Sequence, residues 1–370
     1  MDDSSLGQTS SDLLEAIRLH RAGDLDRAAA GYRAVLATGE DATALCNLGS
    51  IQRVRGAVGE AEDLLLRAVE LQPERSPARL NLANLLFQMC RLDEAGEAYA
   101  EVIRLDPTNR QAKRDLGNVY LALGRDIEGW ALYDERPERM NSQGRNLSFP
   151  EWRGESLAGK RLIVLAEQGF GDLIFAGRYL WSLGAAHVTF ACRPELCRLF
   201  SQLPIEVVPW REGISIKTYD YWALPLSLPR WAPPVIAPYF SGSPRGAGRI
   251  GVAWRGNPLP DPGRSLPEAL GTRLLAIPGA ISLLPEDSGA RDFQDTADLV
   301  AGLDAVISVD TAIAHLAGSM GKRAIVLLQH NSADWRWRER SPWYPRVTVV
   351  RQPGAGDWAP SIRKATDLVL

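Results

Sequence analysis

The feature that most constrains the fold is a period of 34 residues in the first third of the chain. Small residues, large side chains and prolines each recur at a step of 33 or 34. The small set is Gly49, Ala83 and Gly117 with Ala61, Ala95 and Gly129, the large set is Tyr32, Leu65, Tyr99 and Tyr133, and the prolines are Pro73 and Pro107. Small residues let two helices approach closely while large ones fill the space between them. The period therefore predicts paired helices that stack on their neighbours.

This pattern resembles the tetratricopeptide repeat. We predict about four helix pairs in residues 1–136, of which three are complete and the fourth begins near Arg110 and degrades after Tyr133. Stacked repeats form a concave groove that commonly receives an extended partner. We therefore expect the groove to bind a peptide or protein. The alternative is a spacer or a dimerisation element, which leaves homo-oligomers open.

Residues 137–160 break the repeat with a polar stretch that predicts a linker. Short apolar runs then alternate with helical patterns. The first group has predicted strands at 161–166, 187–192, 205–209 and 219–224, with helices at 172–183 and 194–202. After a break rich in proline and glycine, the second group has predicted strands at 249–254, 280–284, 305–309, 324–328 and 347–350.

Such alternation predicts a parallel, doubly wound sheet in each group. The expected fold class is α plus α/β: a helical solenoid in residues 1–136, then two Rossmann-like lobes in 161–247 and 248–370. Ligands bind these sheets beyond the carboxyl ends of the strands. We therefore expect the active site in the loops where the two lobes face each other.

Composition argues against several classes of protein. The formal net charge is -3 and no run is rich in Lys or Arg, so a nucleic-acid partner is not expected. The polar, acidic start and the lack of a long apolar stretch predict a cytoplasmic protein without a membrane span. Four cysteines at unremarkable spacing are expected to be buried thiols. The histidines form no ligand cluster, so no metal or other cofactor is predicted.

A glycine turn follows the first predicted strand and contains Gln168, Gly169, Gly171 and Asp172. Its glycines permit a tight turn and a close approach to a ligand. It is not a dinucleotide fingerprint, because Ile174 occupies the place of the third glycine. Asp172 is predicted either to cap the following helix or to accept a proton from an acceptor hydroxyl, and one residue can do both.

A second turn follows the strand at 305–309 and contains Asp310, Thr311, Ala312 and His315. A helix that starts there offers backbone N–H groups and a partial positive charge, which suit a phosphate or diphosphate. Thr311 and His315 are four residues apart and share one helical face. The alternative is a capped helix with a buried, hydrogen-bonded histidine.

Further polar residues flank the strand at 249–254, namely Arg255, Asn257, Arg264 and Ser265. The two arginines suit the neutralisation of phosphate, and the alternative is ordinary surface arginines. The tryptophan-rich segment 334–345 is predicted to serve packing more than ligand recognition.

Together these stretches resemble the tetratricopeptide-repeat glycosyltransferases of bacteria, whose catalytic part is similar to the lipopolysaccharide heptosyltransferases. The stretches that carry the resemblance are LIVLAEQGFGD, GVAWRGNP, Arg264-Ser265, RDFQDTADLVAGLDAVISVDTAIAHLAGSMGK, DWRW and SPWYP. With the repeats, they cover nearly the whole chain. The resemblance implies a GT-B fold, with the acceptor on the first lobe and the nucleotide sugar on the second.

The resemblance also implies residue roles. Asp172 would be the base, and Arg264 would contact a donor phosphate. The donor phosphates and ribose would be held by Asp310, Thr311, Ala312 and His315. The sequence departs from the heptosyltransferase pattern at Ala312, where glycine is usual, and at Gln329, where proline is common. These departures concern the identity of the donor more than the fold.

We therefore predict an inverting, metal-independent transfer of a sugar from a nucleotide sugar to a hydroxyl of a protein acceptor. The resemblance extends to flagellin-modifying enzymes of this architecture, so flagellin is an acceptor that it implies. Two alternatives stay open: a scaffold whose transferase lobes are inactive, and a lipopolysaccharide sugar transferase.

Overall fold

The computed structural model describes residues 3–140, 146–183, 187–210, 219–246, 249–257, 262–331, 334–339 and 341–370. The chain divides into two compact units, Met1–Arg136 and Pro137–Leu370. The predicted boundary between lobes at 247/248 and residues 141–145 of the predicted linker lie outside the described residues.

The first unit consists of four consecutive helix pairs. The helices are α1 (Asp3–Arg21), α2 (Leu25–Thr38), α3 (Ala42–Val54), α4 (Val58–Leu71), α5 (Ser76–Gln88), α6 (Leu92–Leu105), α7 (Arg110–Ala122) and α8 (Asp126–Tyr133). The prediction of a helical repeat is confirmed. Its fourth pair starts at Arg110 and ends in a short second helix of 8 residues.

Small residues stand where the two helices of a pair approach closely, and large residues fill the space between helices, as the period predicts. A Cβ atom placed on Gly49 would lie 2.8 Å from Leu65 Cγ, and one on Gly117 would lie 2.7 Å from the backbone nitrogen of Tyr133. Leu65 and Tyr99 are buried at the matching positions of successive pairs. Close backbone approach at the glycines and burial of the large side chains together produce the core of the stack.

The second unit contains two parallel sheets. The first sheet has the order β3-β2-β1-β4, with β1 (Arg161–Leu165), β2 (His187–Cys192), β3 (Glu206–Pro209) and β4 (Tyr221–Ala223). Its helices are α9 (Pro137–Met140), α10 (Phe170–Ser182) and α11 (Pro194–Phe200). The strand β1 pairs with both β2 and β4, so the turn that follows β1 lies at the middle of the sheet edge.

The second sheet has the order β6-β5-β7-β8-β9. Its strands are β5 (Ile250–Ala253), β6 (Ala280–Ser282), β7 (Ala305–Val309), β8 (Arg323–Leu328) and β9 (Val347–Arg351). Its helices are α12 (Glu268–Leu275), α13 (Pro285–Ser288), α14 (Phe293–Ala301), α15 (Ala312–Ser319) and α16 (Ala359–Val369). Alternate residues of β7 enter two different core clusters: Ile307 and Val309 enter one, and Val306 enters the other. Both faces of this sheet are therefore covered, as parallel sheets require.

The predicted α/β alternation is confirmed, with differences at the ends of the elements. The helix expected from Asp172 begins two residues earlier, at Phe170, and all residues from Leu173 to Leu180 are buried, so it is not amphipathic over that stretch. Within the predicted linker, Trp152 is buried and its N–H donates to the carbonyl oxygen of Trp222 over 2.7 Å. Residues 150–152 thus pack beside β4.

The expectation of buried cysteines is wrong for part of the set. Cys46 and Cys192 are buried, Cys197 is half-buried and Cys90 is exposed. Cys90 has a φ of 57°, at a turn between two repeat helices where the chain must reverse at the surface. The sulfur atoms of Cys192 and Cys197 lie 3.8 Å apart as free thiols.

None of the helices in the described residues combines the length and the apolar character that a bilayer crossing demands.

Candidate active site

The carboxyl ends of several strands of both sheets open onto one cavity of about 1000 Å³ in the second unit. Of the predicted site residues, those that line it are Gln168, Gly169, Gly171, Asp172, Arg255, Asn257, Arg264, Asp310, Thr311, Ala312 and His315. Ser265 is the exception. The turn after β1 and the turn after β7 thus face the same space, which is what a two-substrate site at the edges of parallel sheets needs.

The first turn of α10 holds Asp172. Gln168 takes a φ of +58°, which reverses the chain after β1. Gly169 is the N-cap, and its N–H donates to Asp172 Oδ2 over 3.1 Å. Asp172 therefore sits in the third helical position and closes a capping box, so it is not itself the N-cap. Its other oxygen, Oδ1, points toward the loop that follows β8.

That loop carries Arg336, which joins two carboxylates. Its Nη1 donates to both oxygens of Asp334 at 3.1 and 3.0 Å, and its Nη2 donates to Asp172 Oδ1. The side chains of Arg336, Asp172 and Asp334 retain 12%, 21% and 25% of their exposure. Because all three are largely removed from water, this bridge is stronger than a surface ion pair.

The helix α15 points its N-terminus at the cavity. Thr311 is the N-cap and Ala312 is the first helical residue, so two residues, Asp310 and Thr311, separate the helix from the strand. No preceding turn of the helix can accept the N–H groups of Ala312 and Ile313. The Thr311 hydroxyl lies 3.0 Å from the Ser308 hydroxyl. The arrangement can bind an anion at the mouth of the helix.

Asp310 lies beneath this helix start. Its Oδ1 accepts a hydrogen bond of 2.7 Å from Trp337 Nε1. Burial of the carboxyl group, followed by the negative charge of Asp334, raises the pKa of Asp310 to about 7. Near neutral pH, Asp310 is therefore divided between its protonated and charged forms.

His315 lies against Gly171, where the two helix starts meet. A Cβ on Gly171 would stand 2.7 Å from His315 Cδ2 and 3.4 Å from its Nε2, so only glycine lets α10 come this close. His315 Nδ1 is 3.1 Å from Tyr344 Oη. Burial, helped by the positive charges of Arg336 and Arg178, lowers the pKa of His315 well below its usual value. The imidazole is neutral at physiological pH.

Arg178 provides one of those charges from a fully buried position on α10. Its guanidinium donates to three uncharged oxygens: Phe175 O at 3.0 Å, Trp343 O at 3.2 Å and Tyr239 Oη at 3.3 Å. It also lies 4.6 Å from the centre of the Tyr344 ring. A buried cation thus stands behind the Tyr344–His315 pair.

The remaining predicted residues form the wall on the side of β5. Arg255 pairs with Glu286 and, at 3.7 Å, with Glu268. Arg264 donates from Nε and Nη2 to the carbonyl oxygen of Asn257 at 3.1 and 2.7 Å. Ser265 lies behind the wall, where its hydroxyl accepts the Gly256 N–H over 3.1 Å. Ser265 therefore shapes the loop without lining the cavity.

The tryptophans of segment 334–345 serve packing, as predicted. Trp335, Trp337 and Trp343 are all buried. Trp337 also stacks beside His315, with 4.5 Å between ring centres, and donates to Asp310. The segment therefore fixes the orientation of two residues of the cavity.

Three residues of the site were not identified from the sequence: Arg336, Trp337 and Arg178. A signal existed for each. Arg336 and Trp337 lie in the DWRW motif, soon after the carboxyl end of β8. Arg178 is the single charge between Leu173 and Ser182, a stretch of mostly apolar residues. A charge in such a stretch indicates a buried polar contact.

Across the described ranges, no group of three or more His, Cys, Asp and Glu side chains is placed to hold a metal ion.

Models of known protein families match segments in both units of the chain. A model of the tetratricopeptide repeat matches residues 13–76 and 80–135. A model of glycosyltransferase family 9 (heptosyltransferase) matches residues 288–364. The second match contains the turn after β7, the helix α15 and the loop that carries Arg336.

Individual proteins match the chain to different extents. Protein FlbA of Caulobacter vibrioides is 27% identical over 88% of this chain and 65% of its own length. An inactive TPR repeat-containing thioredoxin of Arabidopsis thaliana, TTL3, is 34% identical over 24% of this chain and 13% of its own length. The chain thus spans just under two thirds of FlbA and a small part of the plant protein.

Among solved structures, MamA aligns over 37% of this chain and 81% of its own, with 22% identity and a TM-score of 0.34. The pilF protein of Pseudomonas aeruginosa aligns over 37% and 63%, with 22% identity and a TM-score of 0.33. The chain thus combines tetratricopeptide repeats in its first unit with a segment of its second unit that matches glycosyltransferase family 9.

Proposed function

We propose that the second unit transfers a sugar from a nucleotide sugar to a hydroxyl group, with inversion at the anomeric carbon. One observation carries the proposal: the carboxylate of Asp172 and the N-terminus of α15 line the same cavity from different sheets. A proton acceptor and an anion-binding site that face each other are the two elements that such a displacement requires.

In the proposed step, the acceptor oxygen attacks the anomeric carbon while the bond from that carbon to the diphosphate oxygen breaks. The acceptor proton passes to Asp172, and the nucleoside diphosphate leaves with the electron pair. Attack from the side of Asp172 on a bond that points toward α15 gives inversion. We assign the acceptor to the first sheet and the donor to the second, as in a GT-B enzyme.

Charge on the leaving diphosphate is met by the first N–H groups of α15 and by Arg264, which lies beside Thr311 across Gly256. Arg255 helps to neutralise this negative charge only if the phosphate displaces Glu286 and Glu268 from its guanidinium. Tyr344 keeps its proton, because burial raises its pKa well above the usual value. Its hydroxyl can donate to His315 Nδ1, which leaves Nε2–H as a donor toward the ligand.

We propose that these groups stabilise the leaving group without a divalent metal. The expected result is equal turnover with EDTA and with added Mg²⁺. A strict requirement for Mg²⁺ or Mn²⁺ contradicts this part of the proposal.

We propose further that the acceptor is a protein, with flagellin as the first to test, and that the repeats of the first unit bind it. Support comes from the repeat class, whose grooves receive extended partners. Binding of purified flagellin by the full chain, with transfer of labelled sugar onto it, is the expected outcome. Transfer to a lipopolysaccharide acceptor instead would contradict the protein acceptor.

The test of the core proposal is nucleotide binding. UDP, GDP, CDP and ADP are added to the full chain, and thermal unfolding is followed. One diphosphate should raise the Tm, because a ligand present at about 100 times its Kd stabilises the folded state by about 2.7 kcal/mol. Arg264→Gln should reduce the shift. Arg249→Gln removes the same charge from an exposed position outside the cavity and should leave the shift intact. No shift with any nucleotide would favour an inactive scaffold.

A further inference from the structure

The two terminal nitrogens of Arg336 have different carboxylate partners: Nη1 donates to Asp334 and Nη2 donates to Asp172. Asp334 accepts from Nη1 with both oxygens and from the Arg336 backbone N–H at 2.8 Å. The guanidinium also lies over the Trp335 ring, 4.2 Å from its centre. Nη2 reaches across to α10, where it donates to Asp172.

This contact leaves Asp172 poorly suited to act as a base. One carboxylate oxygen accepts the Gly169 N–H and the other accepts Arg336 Nη2. Both oxygens thus already accept a hydrogen bond, so an acceptor hydroxyl has to compete with these two donors for the carboxylate. An acceptor gains better access to the carboxylate when one of the two contacts is given up.

The Arg336 contact is the one that a substrate can remove. Arg336 and the N-terminus of α15 line the same cavity. The next residue, Trp337, donates from Nε1 to Asp310 just before the helix start, which keeps this part of the loop close to α15. The positive charge of Arg336 adds to the lowering of the His315 pKa that burial causes, and it opposes the rise of the Asp310 pKa that burial causes. Arginine binds phosphate oxygens in a fork geometry, so a diphosphate bound there competes directly with Asp172 for Nη2.

We propose that Arg336 is a positioning residue shared between Asp172 and the diphosphate of the donor. Binding of the donor draws Nη2 away from Asp172, while Asp334 keeps its hold on Nη1. The released carboxylate then serves as the base. This inference rests on the proposed function and adds its regulation: the base becomes competent only after the donor is bound.

The consequence for the reaction is an order of events. An acceptor that arrives first meets a carboxylate tied to Arg336. The acceptor proton still passes to Asp172, so Arg336 takes part in no bond change. After the nucleoside diphosphate leaves and Asp172 loses its proton to water, the ion pair forms again.

If Asp172 and the diphosphate compete for Arg336, removing the charge of Asp172 should tighten diphosphate binding. A base that does not share this arginine gives no such effect. In Asp172→Asn, Arg336 no longer has to leave a charged partner, so the diphosphate should bind more tightly. Isothermal titration with UDP, GDP, CDP and ADP identifies the diphosphate that binds and gives its Kd for wild type, Asp172→Asn, Arg336→Gln and the double variant. We expect Asp172→Asn to tighten binding about tenfold in the wild-type background, the size of one charged hydrogen bond. In the Arg336→Gln background, the change should nearly vanish.

A matched control separates this competition from a general loss of negative charge. Glu195 lines the same cavity from α11. Glu195→Gln should produce the same small change in both backgrounds. Arg336→Lys, which keeps the charge but not the fork, should also reduce the gain from Asp172→Asn. It replaces Arg336→Gln if near-UV circular dichroism shows that the glutamine variant does not fold.

Unchanged or weaker binding in Asp172→Asn, or equal tightening in both backgrounds, overturns the shared arginine. The proposed function would stand in that case, since the diphosphate still binds. If the wild type binds none of the four diphosphates, the proposed function and this inference both fail.

Discussion

Ion pairs of two different kinds stand out, one kind in each unit of the chain. In the first unit, ion pairs such as Arg18–Glu15 and Arg125–Glu128 join side chains three residues apart on exposed helix surfaces. In the second unit, Arg336 pairs with a residue 164 positions away inside a cavity. Exposed pairs contribute about 0.2–1 kcal/mol or less. These exposed pairs of the repeats therefore keep the surface solvated, and the Arg336 pair shapes the cavity.

Glycines show the same contrast. Gly117 lets the helices of one repeat approach, and its equivalents recur every 34 residues. Gly171 brings α10 against His315, a contact that no other glycine in the described part of the chain makes. A contact that recurs with the repeat can be predicted from the period of the sequence. A contact made once, between distant segments, depends on the whole fold.

The largest expected effect is in the repeats. Gly117→Val would place side-chain atoms against the backbone of Tyr133 and should cost about 3 kcal/mol. Hydrogen exchange of the full chain would report faster exchange within residues 3–136. Amide protection in the second unit should be unchanged, and loss of protection in both units would show that they unfold together.

A smaller but functional effect is expected for Gly171→Ala. The added methyl group meets His315 at 2.7 Å, so one of the two helix starts must shift, at a cost of about 2 kcal/mol. The Kd for the diphosphate, measured by titration, should rise. An unchanged Kd would mean that the position of His315 does not matter for binding.

The pKa of Asp310 gives a prediction with a definite sign. Because the folded-state pKa is about 7 and the unfolded value is near 3.9, folding favours the protonated form. This contribution is present at low pH and is lost as pH rises toward 7. Between pH 5 and 7, wild type should lose about 2 kcal/mol relative to Asp310→Asn.

Urea unfolding of both proteins at several pH values checks this. His315 acts in the other direction, since its lowered pKa makes the folded state lose stability as pH falls below about 6.5. It is present in both proteins and cancels in the difference. A constant difference from pH 5 to 7 would contradict the raised pKa.

The smallest effect is a gain. A Cβ on Gly59, in the first turn of α4, meets no atom within 4 Å. Gly59→Ala should therefore stabilise the first unit by about 0.5 kcal/mol through helix propensity. Slower hydrogen exchange in α4 is the expected result, and faster exchange would indicate a contact that the structure does not contain.

Most of the fold could be predicted from the sequence because its signals are local. Leu65 and Tyr99 mark equivalent positions of successive repeats, and each strand of the two sheets is a short apolar run. The ends of the elements were less predictable. The helix α10 begins at Phe170 because Asp172 closes a capping box with Gly169, a contact between a side chain and the backbone that periodicity does not encode.

The site could be predicted only where its residues follow a strand. Asp172 and Asp310 stand in the turns after β1 and β7, so the rule for parallel sheets locates both. Tyr344, Arg336 and Arg178 each also make a contact across the unit. These contacts are to His315, Asp172 and Trp343, which lie 29 or more positions away. Spacing along the chain carries no information about such pairs.

The central claim is that Asp172 is the base opposite a diphosphate held at the start of α15. The most direct measurement is the rate of nucleoside diphosphate release from the nucleotide sugar, in the presence of acceptor, by wild type and by Asp172→Asn. The account predicts a loss of about 10²–10⁴-fold in kcat, with the diphosphate still bound by the variant. Equal turnover by the two proteins would contradict it.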